Sequence, residues 1–255
     1  MLTLSDCIVP DWPAPKNVRA VFTTRIGGVS LGALAGLNLG KSVGDDPLAV
    51  AENRRRVEQL IGYPPRWMSQ VHGVSVAELD AIDPLQSITA DAAISRQSGM
   101  VCTAMVADCL PVLFTDVAGT VVAAAHAGWR GLAAGVLEAT IQSMHVAPEN
   151  LLAWMGPAIG PTQFEVGIDV RDTFVALGTA TSCAFQPIGG SHQQKFMADI
   201  FMLARLRLTA AGMAETHIYG GGLCTVSDPE RFFSHRREGK SGLSSGRMAA
   251  FIHLA

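Results

Sequence analysis

The feature that most constrains the fold is a tract of short apolar runs between residues 67 and 126. The runs are WMSQVHGVSVAEL, ADAAIS, GMVCTAMVA, LPVLF and TVVAAAHAG, and turns such as DVAG divide them. Short apolar and β-branched runs bounded by turn residues are typical of strands. The tract therefore predicts a broad mixed sheet.

Helices are predicted on both sides of this tract. Residues 46–62 favour a helix with Asp46 at the N-cap, Pro47 in the first turn and Gly62 as the stop. Its predicted apolar face consists of Leu48, Val50, Val57, Leu60 and Ile61. Residues 129–146 favour a second helix, whose apolar positions are Leu132, Val136, Leu137, Ile141 and Met144.

The remaining pattern completes an α/β chain. Strands are predicted at 18–25, 151–160, 217–222 and 247–254, helices near 169–177 and 195–212, a glycine-rich loop at 25–40 and an exposed loop at 186–196. The elements do not alternate strictly enough for a doubly wound parallel sheet or an eightfold barrel. No linker or repeat divides the chain, so residues 1–255 are predicted to form one domain.

Composition excludes several classes of function. The net charge of -3 provides no basic field, and the arginines at 54–56 are flanked by Glu52 and Glu58, so nucleic acid is not an expected partner. The N-terminus lacks a secretory pattern, and Asp108 and Pro111 interrupt the most apolar region, so no membrane span is expected. Five irregularly spaced cysteines indicate reduced thiols and a cytoplasmic protein.

Three strand-like runs each end in a residue that can bind a transition metal. His72 lies in SQVHG, Cys109 in ADCLPVLF and His126 in AAAHAGWRG. Two imidazoles and one thiolate suit a tetrahedral zinc ion with one open position, as in catalytic zinc sites. Their spacing matches no compact zinc finger, and each residue could instead be an ordinary part of the core.

The same motifs resemble one known family. FTTRIGGVS, LNLG, VGDDP, ENRRRV, SQVHG, ADCLPVLF, AAAHAGWRG, GPAIGPTQFEVG, FFSHRR and SSGRMA occur in the order of the YfiH or laccase-domain family, also called polyphenol oxidoreductases and purine nucleoside phosphorylases. The resemblance covers nearly the whole chain. It implies a layered α/β/β/α fold with mixed sheets, similar to the cysteine-hydrolase fold of necrotizing-factor toxins.

The resemblance also implies an activity. The family's metal ligands fall on His72, Cys109 and His126, with zinc as the expected ion and copper as the alternative. The implied reactions are phosphorolysis of adenosine, inosine and methylthioadenosine to free base and ribose 1-phosphate, and deamination of adenosine. The expected partners are therefore a purine nucleoside and phosphate, and the expected assembly is a monomer or a weak homodimer.

Further residues are candidates for the same site. Phosphate requires fixed cations, for which Arg25, Arg130 and Arg247 are the first candidates, followed by Arg236 and Arg237. A purine base could be bound by the amide of Gln70, with Asn38 and Glu165 as weaker candidates.

Asp108 has three possible roles at this stage. It could orient a ligand histidine, act as a general acid, or pair with a nearby arginine. Cys102 is expected on the opposite strand face from Cys109, and the other histidines, His145, His192, His217, His235 and His253, are expected to be structural or on the surface.

Other functions remain open. Cys109 could be the nucleophile of a metal-independent hydrolase or deamidase with His126 as its base. Copper-dependent phenol oxidation is disfavoured because only seven histidines are present and multicopper sites need many. A zinc protein without turnover, such as an editing factor in cell-wall synthesis, is the last alternative.

Overall fold

A computed structural model describes residues 2–189 and 194–255. Within these ranges there are fifteen strands: β1 (Cys7–Ile8), β2 (Val18–Thr23), β3 (Met68–Ser69), β4 (Val76–Glu78), β5 (Ile88–Thr89), β6 (Ala92–Ser95), β7 (Cys102–Val106), β8 (Leu110–Asp116), β9 (Val122–Ala127), β10 (Leu151–Met155), β11 (Glu165–Gly167), β12 (Phe185–Ile188), β13 (Lys195–Ala198), β14 (Ile218–Gly220) and β15 (Met248–Leu254). The described α-helices are α1 (Pro47–Ile61), α2 (Trp129–Ala134), α3 (Val136–Met144), α4 (Ile168–Val175), α5 (Ile200–Ala210) and α6 (His235–Gly239).

The apolar tract of residues 67–126 supplies strands to two large sheets rather than to a single one. One sheet has the order β1-β2-β15-β7 and is antiparallel throughout. The other has the order β14-β10-β8-β9-β6-β4 and is mixed, since its two edge pairs are parallel. The expectation of one broad sheet is corrected because β7 pairs with the C-terminal strand β15.

The two large sheets pack face to face. Phe22 and Ile252 of the antiparallel sheet share a buried cluster with Leu113, Ala124 and Trp154 of the mixed sheet. Successive residues of a strand point to opposite faces, so β8 and β9, which are buried along their whole length, also need a cover on their other face.

Helices cover the outer faces of both sheets. Leu137 and Ile141 of α3 and Leu203 of α5 pack with Val112 and Phe114 on the outer face of the mixed sheet. On the other side of the molecule, α1 buries Val57 against the antiparallel sheet. The layers therefore follow the order α/β/β/α, and the predicted layered fold with mixed sheets is confirmed.

Two helices differ in detail from the sequence prediction. Asp46 caps α1 and Gly62 ends it as expected, but Leu48 is 79% exposed and Asn53 takes its place on the buried face. The predicted helix 129–146 is divided at Gly135, whose φ of 103° interrupts the helical backbone. Its five predicted apolar positions are nevertheless all buried.

Differences also occur in the C-terminal half. The predicted helix 195–212 begins only at Ile200, because Lys195–Ala198 forms β13 and pairs with β11 and β12. The predicted exposed loop 186–196 is therefore partly strand, and its residues 190–193, with His192, lie outside the described residues. No helix in the described part of the chain is long and apolar enough to cross a membrane.

Candidate active site

The antiparallel pairing of β8 and β9 brings Cys109 and His126 together. Leu110 pairs with Ala127 and Pro111 with His126, so Cys109, just before β8, lies opposite Gly128, just after β9. Gly128 leaves room for this approach, because a Cβ atom there would lie 3.1 Å from Cys109 Sγ. The small residue at this strand end therefore allows a thiol and an imidazole to share one space.

His72 reaches the same space from the turn that follows β3. Its backbone has a φ of 61°, a left-handed conformation that residues other than glycine uncommonly adopt. Three consecutive amides of this turn, those of Val71, His72 and Gly73, donate hydrogen bonds to the carboxylate of Asp91. These bonds hold the turn in its unusual conformation.

The three predicted ligands form one compact group. Their potential ligand atoms all lie within 4.8 Å of one another, and Cys109 Sγ is 3.8 Å from His72 Nε2. The rings of His72 and His126 are 4.8 Å apart and nearly perpendicular. A Cβ atom on Gly128 would approach His72 Cδ2 to 2.7 Å, so the glycine also leaves room for this imidazole.

Asp91 contacts the ring of His126, and sequence reasoning missed this contact. Asp91 lies in the chain between β5 and β6 and is completely buried. Its Oδ1 lies 2.9 Å from His126 Nδ1. With Nδ1 engaged, the Nε2 atom of His126 remains for a metal ion or for Cys109. Asp91 lies between two apolar runs, the same kind of signal that drew attention to Asp108.

The contacts of Asp108 differ from two of its three predicted roles, and its role as a general acid stays a prediction. It has a φ of 80°, and its carboxylate accepts hydrogen bonds from the hydroxyls of Thr225 and Ser234 and from the backbone amide of Arg236. The proposed contact with a ligand histidine is made by Asp91 instead, and the Arg236 contact is with an amide rather than a guanidinium. Asp108 therefore anchors the start of α6.

The electrostatics favour a charged pair in the metal-free protein. Burial alone would raise the pKa of the Cys109 thiol, but hydrogen bonds from His126 and His72 and the positive charge on His126 outweigh burial and lower this pKa to about 6. Burial would lower the pKa of His126, but its contacts with Asp91 and Cys109 raise it to about 9. The thiolate that a metal ion requires is thus already formed at neutral pH.

A cavity of about 610 Å³ opens above this group. Its lining residues include His72, Cys109 and His126 on the floor and Lys41, Arg54, Trp67, Met68, Gln70, Ile88, Met105, His235 and Arg247 on the walls. Of the five predicted substrate residues, only Gln70 and Arg247 line the cavity. The Gln70 amide also forms two hydrogen bonds with the backbone of Met105.

The other predicted substrate residues lie outside the lining and have other contacts. The Arg25 guanidinium donates to the carbonyl groups of Ala35 and Pro229 and stacks on Phe233. Asn38 is completely buried, and its side chain forms hydrogen bonds with the backbone of Gly40, the carboxylate of Asp45 and the backbone amide of Arg247. Arg130 is exposed and stacks on Trp129. None of the three lines the cavity, and a role for them in substrate binding stays a prediction.

The remaining arginine and glutamate candidates are held by the protein itself. The Arg236 guanidinium donates to the carbonyls of Gln163 and Glu165, and Arg237 donates to three backbone carbonyls and to Glu238. The side chain of Glu165 is paired with Lys195. These residues stabilise the surroundings of α6.

The described histidines outside the metal group agree with the prediction that they are structural or on the surface. His217 and His253 contact backbone carbonyls, and His145 ends α3. His235 is exposed as predicted, and it also lines the cavity. Cys102 is fully buried and points to the carbonyl of Val122, but the unbroken strand on which its expected direction rested is interrupted at Asp108.

Arg54 is a cavity residue that the sequence could have indicated. It lies four residues after Val50 and three before Val57, the spacing of the buried face of α1. Its guanidinium stacks 3.8 Å over Trp67 and donates to the carbonyl of Leu39. The three arginines at 54–56 were interpreted from the sequence as a solvated surface. The position of Arg54 facing the cavity was therefore missed.

Comparisons with known proteins agree with these features. The family described as multi-copper polyphenol oxidoreductase laccase matches residues 19–255. The chain is 55% identical over 247 residues to a purine nucleoside phosphorylase of Pseudomonas aeruginosa, covering 97% of this chain and 98% of that protein. It is 51% identical over 253 residues to the purine nucleoside phosphorylase YfiH of Escherichia coli, covering 98% and 100%.

Solved structures show the same similarity. The crystal structure of a Neisseria meningitidis protein superposes with a TM-score of 0.91 at 47% identity, covering 98% of this chain and 99% of that one. YlmD from Geobacillus stearothermophilus superposes with a TM-score of 0.80 at 32% identity, covering 94% and 92%. Both similarities extend over nearly the whole layered fold.

Proposed function

We propose a function from one premise: the chain belongs to the multi-copper polyphenol oxidoreductase laccase family. The proposal is that this protein is a zinc-dependent enzyme that cleaves purine nucleosides with phosphate, giving the free base and ribose 1-phosphate. The observation that carries it is one cavity that combines the His72, Cys109 and His126 group with the guanidinium groups of Arg54 and Arg247. These guanidinium groups donate to backbone carbonyls and have no carboxylate partner among the described residues. The printed names of the relatives support the same substrate class.

The donor set fits zinc. Two imidazoles and a thiolate whose pKa is already lowered are ligands that zinc accepts in catalytic sites, and Gly128 leaves the space between them unobstructed. When bound, the ion supplies Lewis-acid charge at the floor of the cavity. Copper is the alternative ion, but a multicopper centre needs further histidines, and this is the only His, Cys and carboxylate group of suitable geometry that residues 2–189 and 194–255 contain.

The cations on the wall suit phosphate. Among the ion pairs of the described residues, neither Arg54 nor Arg247 has a carboxylate partner. Burial lowers the pKa of Arg54 to about 10 and also lowers that of Arg247, so both charges are partly desolvated. An anion would relieve this cost, and Lys41 lies on the same wall to assist.

A second part of the wall suits a purine base. Trp67, Met68, Ile88 and Met105 provide apolar and aromatic surface beside the Arg54 guanidinium. Gln70 retains one N–H and one oxygen lone pair beyond its two bonds with Met105, and these can bind a heteroatom of the base.

The residues can perform phosphorolysis in the following way. The wall cations hold phosphate so that one of its oxygens forms a bond to C1′ of the ribose while the bond from C1′ to the purine nitrogen breaks. The departing purine needs a proton, and His235, which lines the same cavity, is the proposed donor. Deamination of adenosine is proposed as a second reaction, in which water replaces the amino group at C6 and ammonia leaves.

A second candidate function has a specific observation in its favour. Cys109, His126 and Asp91 form a series of thiol, imidazole and carboxylate, the arrangement used by cysteine hydrolases and deamidases. In that function Cys109 attacks the substrate and no metal takes part. This candidate is excluded if the protein contains stoichiometric zinc and loses turnover when the zinc is removed. It is supported if the metal-free protein keeps full activity.

The proposed function is tested with adenosine in the presence and absence of phosphate. The zinc-loaded protein is expected to form adenine and ribose 1-phosphate only when phosphate is present, and inosine in either case. Cys109→Ala should abolish both reactions, while the matched variant Cys183→Ala, an exposed thiol away from the cavity, should retain them. Formation of neither adenine nor inosine by the parent protein would contradict the proposal.

The cellular setting remains part of this proposal. All five cysteines are free thiols, and free thiols are typical of proteins in the reducing cytoplasm, which is the proposed location. Neither nucleic acid nor a membrane is proposed as a partner. A single domain over residues 1–255 and a monomeric or weakly dimeric assembly also stay predictions, for which limited proteolysis and size-exclusion chromatography are the direct measurements.

A further inference from the structure

Asp91 contacts both histidines of the proposed metal group. Its Oδ1 accepts the amide hydrogen of His72 at 2.9 Å and lies 2.9 Å from Nδ1 of the His126 ring. Its Oδ2 accepts the amide hydrogens of Val71 at 3.2 Å and Gly73 at 2.7 Å. One completely buried carboxylate therefore joins the ring of one histidine to the backbone of the other.

The backbone of Asp91 strengthens this connection. Its carbonyl accepts the amide hydrogen of His126 at 2.7 Å, and its own amide donates to the carbonyl of Ser75 at 3.0 Å. Residue 91 is thus tied to β9 on one side and to the turn before β4 on the other. Its side chain has little freedom to move without moving a ligand.

We propose that Asp91 is the positioning residue of the His-Cys-His group. It keeps the proton of His126 on Nδ1, so that Nε2 faces Cys109 and His72, and it holds the turn that directs His72 toward the same point. The consequence for zinc affinity rests on the proposed function, but the effects on the imidazole tautomer and on the turn do not.

An asparagine cannot replace this carboxylate in either orientation of its amide. With its oxygen toward His126, its NH₂ group faces the two amide donors of Val71 and Gly73. With its oxygen toward those donors, its NH₂ group faces Nδ1 of His126 and favours the tautomer with the proton on Nε2. The first orientation weakens the turn, and the second blocks the nitrogen that would bind the ion.

Asp116 provides a matched control. It is also a buried aspartate, and it holds a turn by accepting hydrogen bonds from the amides of Thr120 and Val121 and from the Thr120 hydroxyl. It contacts no histidine and lies at the far end of β8. Asp116→Asn therefore removes a comparable set of structural hydrogen bonds without touching the metal group.

The experiment compares the parent protein with Asp91→Asn and Asp116→Asn. Zinc affinity is measured by competition with a chromophoric chelator, and Asp91→Asn is expected to bind zinc about 10- to 100-fold more weakly, the usual effect of removing a carboxylate behind a ligand histidine. Asp116→Asn is expected to match the parent. ¹⁵N NMR of the metal-free proteins at alkaline pH, where the imidazole is neutral, reports the tautomer of His126.

The NMR result separates this inference from the proposed function. A parent protein with Nδ1 protonated, and a shift toward Nε2 protonation or faster amide exchange at residues 71–73 in Asp91→Asn, supports the inference even if zinc does not bind. The inference is overturned if His126 of the parent protein carries its proton on Nε2. This measurement needs only the parent protein, so it remains decisive if Asp91→Asn does not fold. It is equally overturned if Asp91→Asn keeps the parent tautomer, amide exchange and zinc affinity.

Discussion

A buried aspartate lies behind the floor of the cavity and another behind its wall, but the two aspartates have different hydrogen-bond partners. Asp91 bonds to both histidines of the floor, whereas Asp108 bonds to Thr225, Ser234 and the start of α6, which carries His235 on the wall. Asp108 is the immediate neighbour of Cys109 in sequence, yet Asp91 is the one that contacts the ring of His126. Proximity in sequence to Cys109 thus did not identify the carboxylate that meets this imidazole.

The comparison predicts that floor and wall can be altered separately. A change in the floor should alter zinc binding and turnover together. A change in the wall should alter the use of phosphate or the stability of the protein while zinc binding stays the same.

The largest effect is expected from Gly128→Ala in the floor. The new Cβ atom would approach His72 Cδ2 to 2.7 Å and Cys109 Sγ to 3.1 Å, so a ligand must move. Zinc affinity should fall by more than the roughly 10- to 100-fold expected when only a supporting contact is lost. The control is Gly239→Ala, where an added Cβ meets no atom within 4 Å, and unchanged zinc binding in Gly128→Ala would contradict the described floor.

The next effect is expected from Arg247→Ala in the wall. Loss of a partly desolvated charge from the phosphate site should lower kcat/KM for phosphate by about 10- to 100-fold, the effect of removing a hydrogen bond to a charged group. Zinc affinity should not change. Arg130→Ala, which removes an exposed guanidinium outside the cavity, is the matched control and should behave like the parent in steady-state kinetics.

A smaller effect is expected from Asp108→Asn, which weakens the anchor of the wall. Loss of the carboxylate leaves buried donors of Ser234 and Arg236 poorly satisfied and should lower the free energy of unfolding by about 1–3 kcal/mol. Chemical denaturation measures this cost, and chelator competition should show parent-like zinc affinity. A loss of zinc affinity as large as that of Asp91→Asn would remove the distinction between the two aspartates.

The smallest change is a difference in the pH dependence of thiol alkylation in the metal-free protein. Because the pKa of Cys109 is lowered to about 6, its thiolate forms as the pH rises through 6, and its rate with iodoacetamide should level off by neutral pH. The rate at Cys7, whose pKa burial raises to about 12, should still be rising there. Peptide mapping by mass spectrometry distinguishes the two, and parallel profiles would show that the floor does not stabilise a thiolate.

The resemblance to a known family implied both the layered fold and the three floor residues. The local apolar pattern by itself predicted the strands but a single broad sheet, and it left the metal group open, although each candidate ligand lies in a motif at the end of an apolar run. The wall was less predictable. Arg25 and Arg130 lie near glycines in the sequence, yet Arg25 donates to the distant carbonyl of Pro229 and Arg130 stacks on its neighbour Trp129.

Other features depend on contacts between distant parts of the chain. Asp91 and His126 are far apart in sequence and meet only because β6 pairs with β9. Arg54 faces the cavity because α1 packs on the antiparallel sheet. The division of helix 129–146 at Gly135 was also missed, since a glycine inside a helical pattern is compatible with either a continuous or a broken helix.

The central claim is that the His72, Cys109 and His126 group holds a zinc ion needed for nucleoside cleavage. The most direct measurement is the rate of adenine formation from adenosine and phosphate before chelation, after chelation and after zinc is restored, with metal content determined at each stage. The account predicts about one zinc per chain, loss of activity with loss of the ion, and recovery when zinc returns. Full activity in the metal-free protein would contradict it and favour a nucleophilic Cys109.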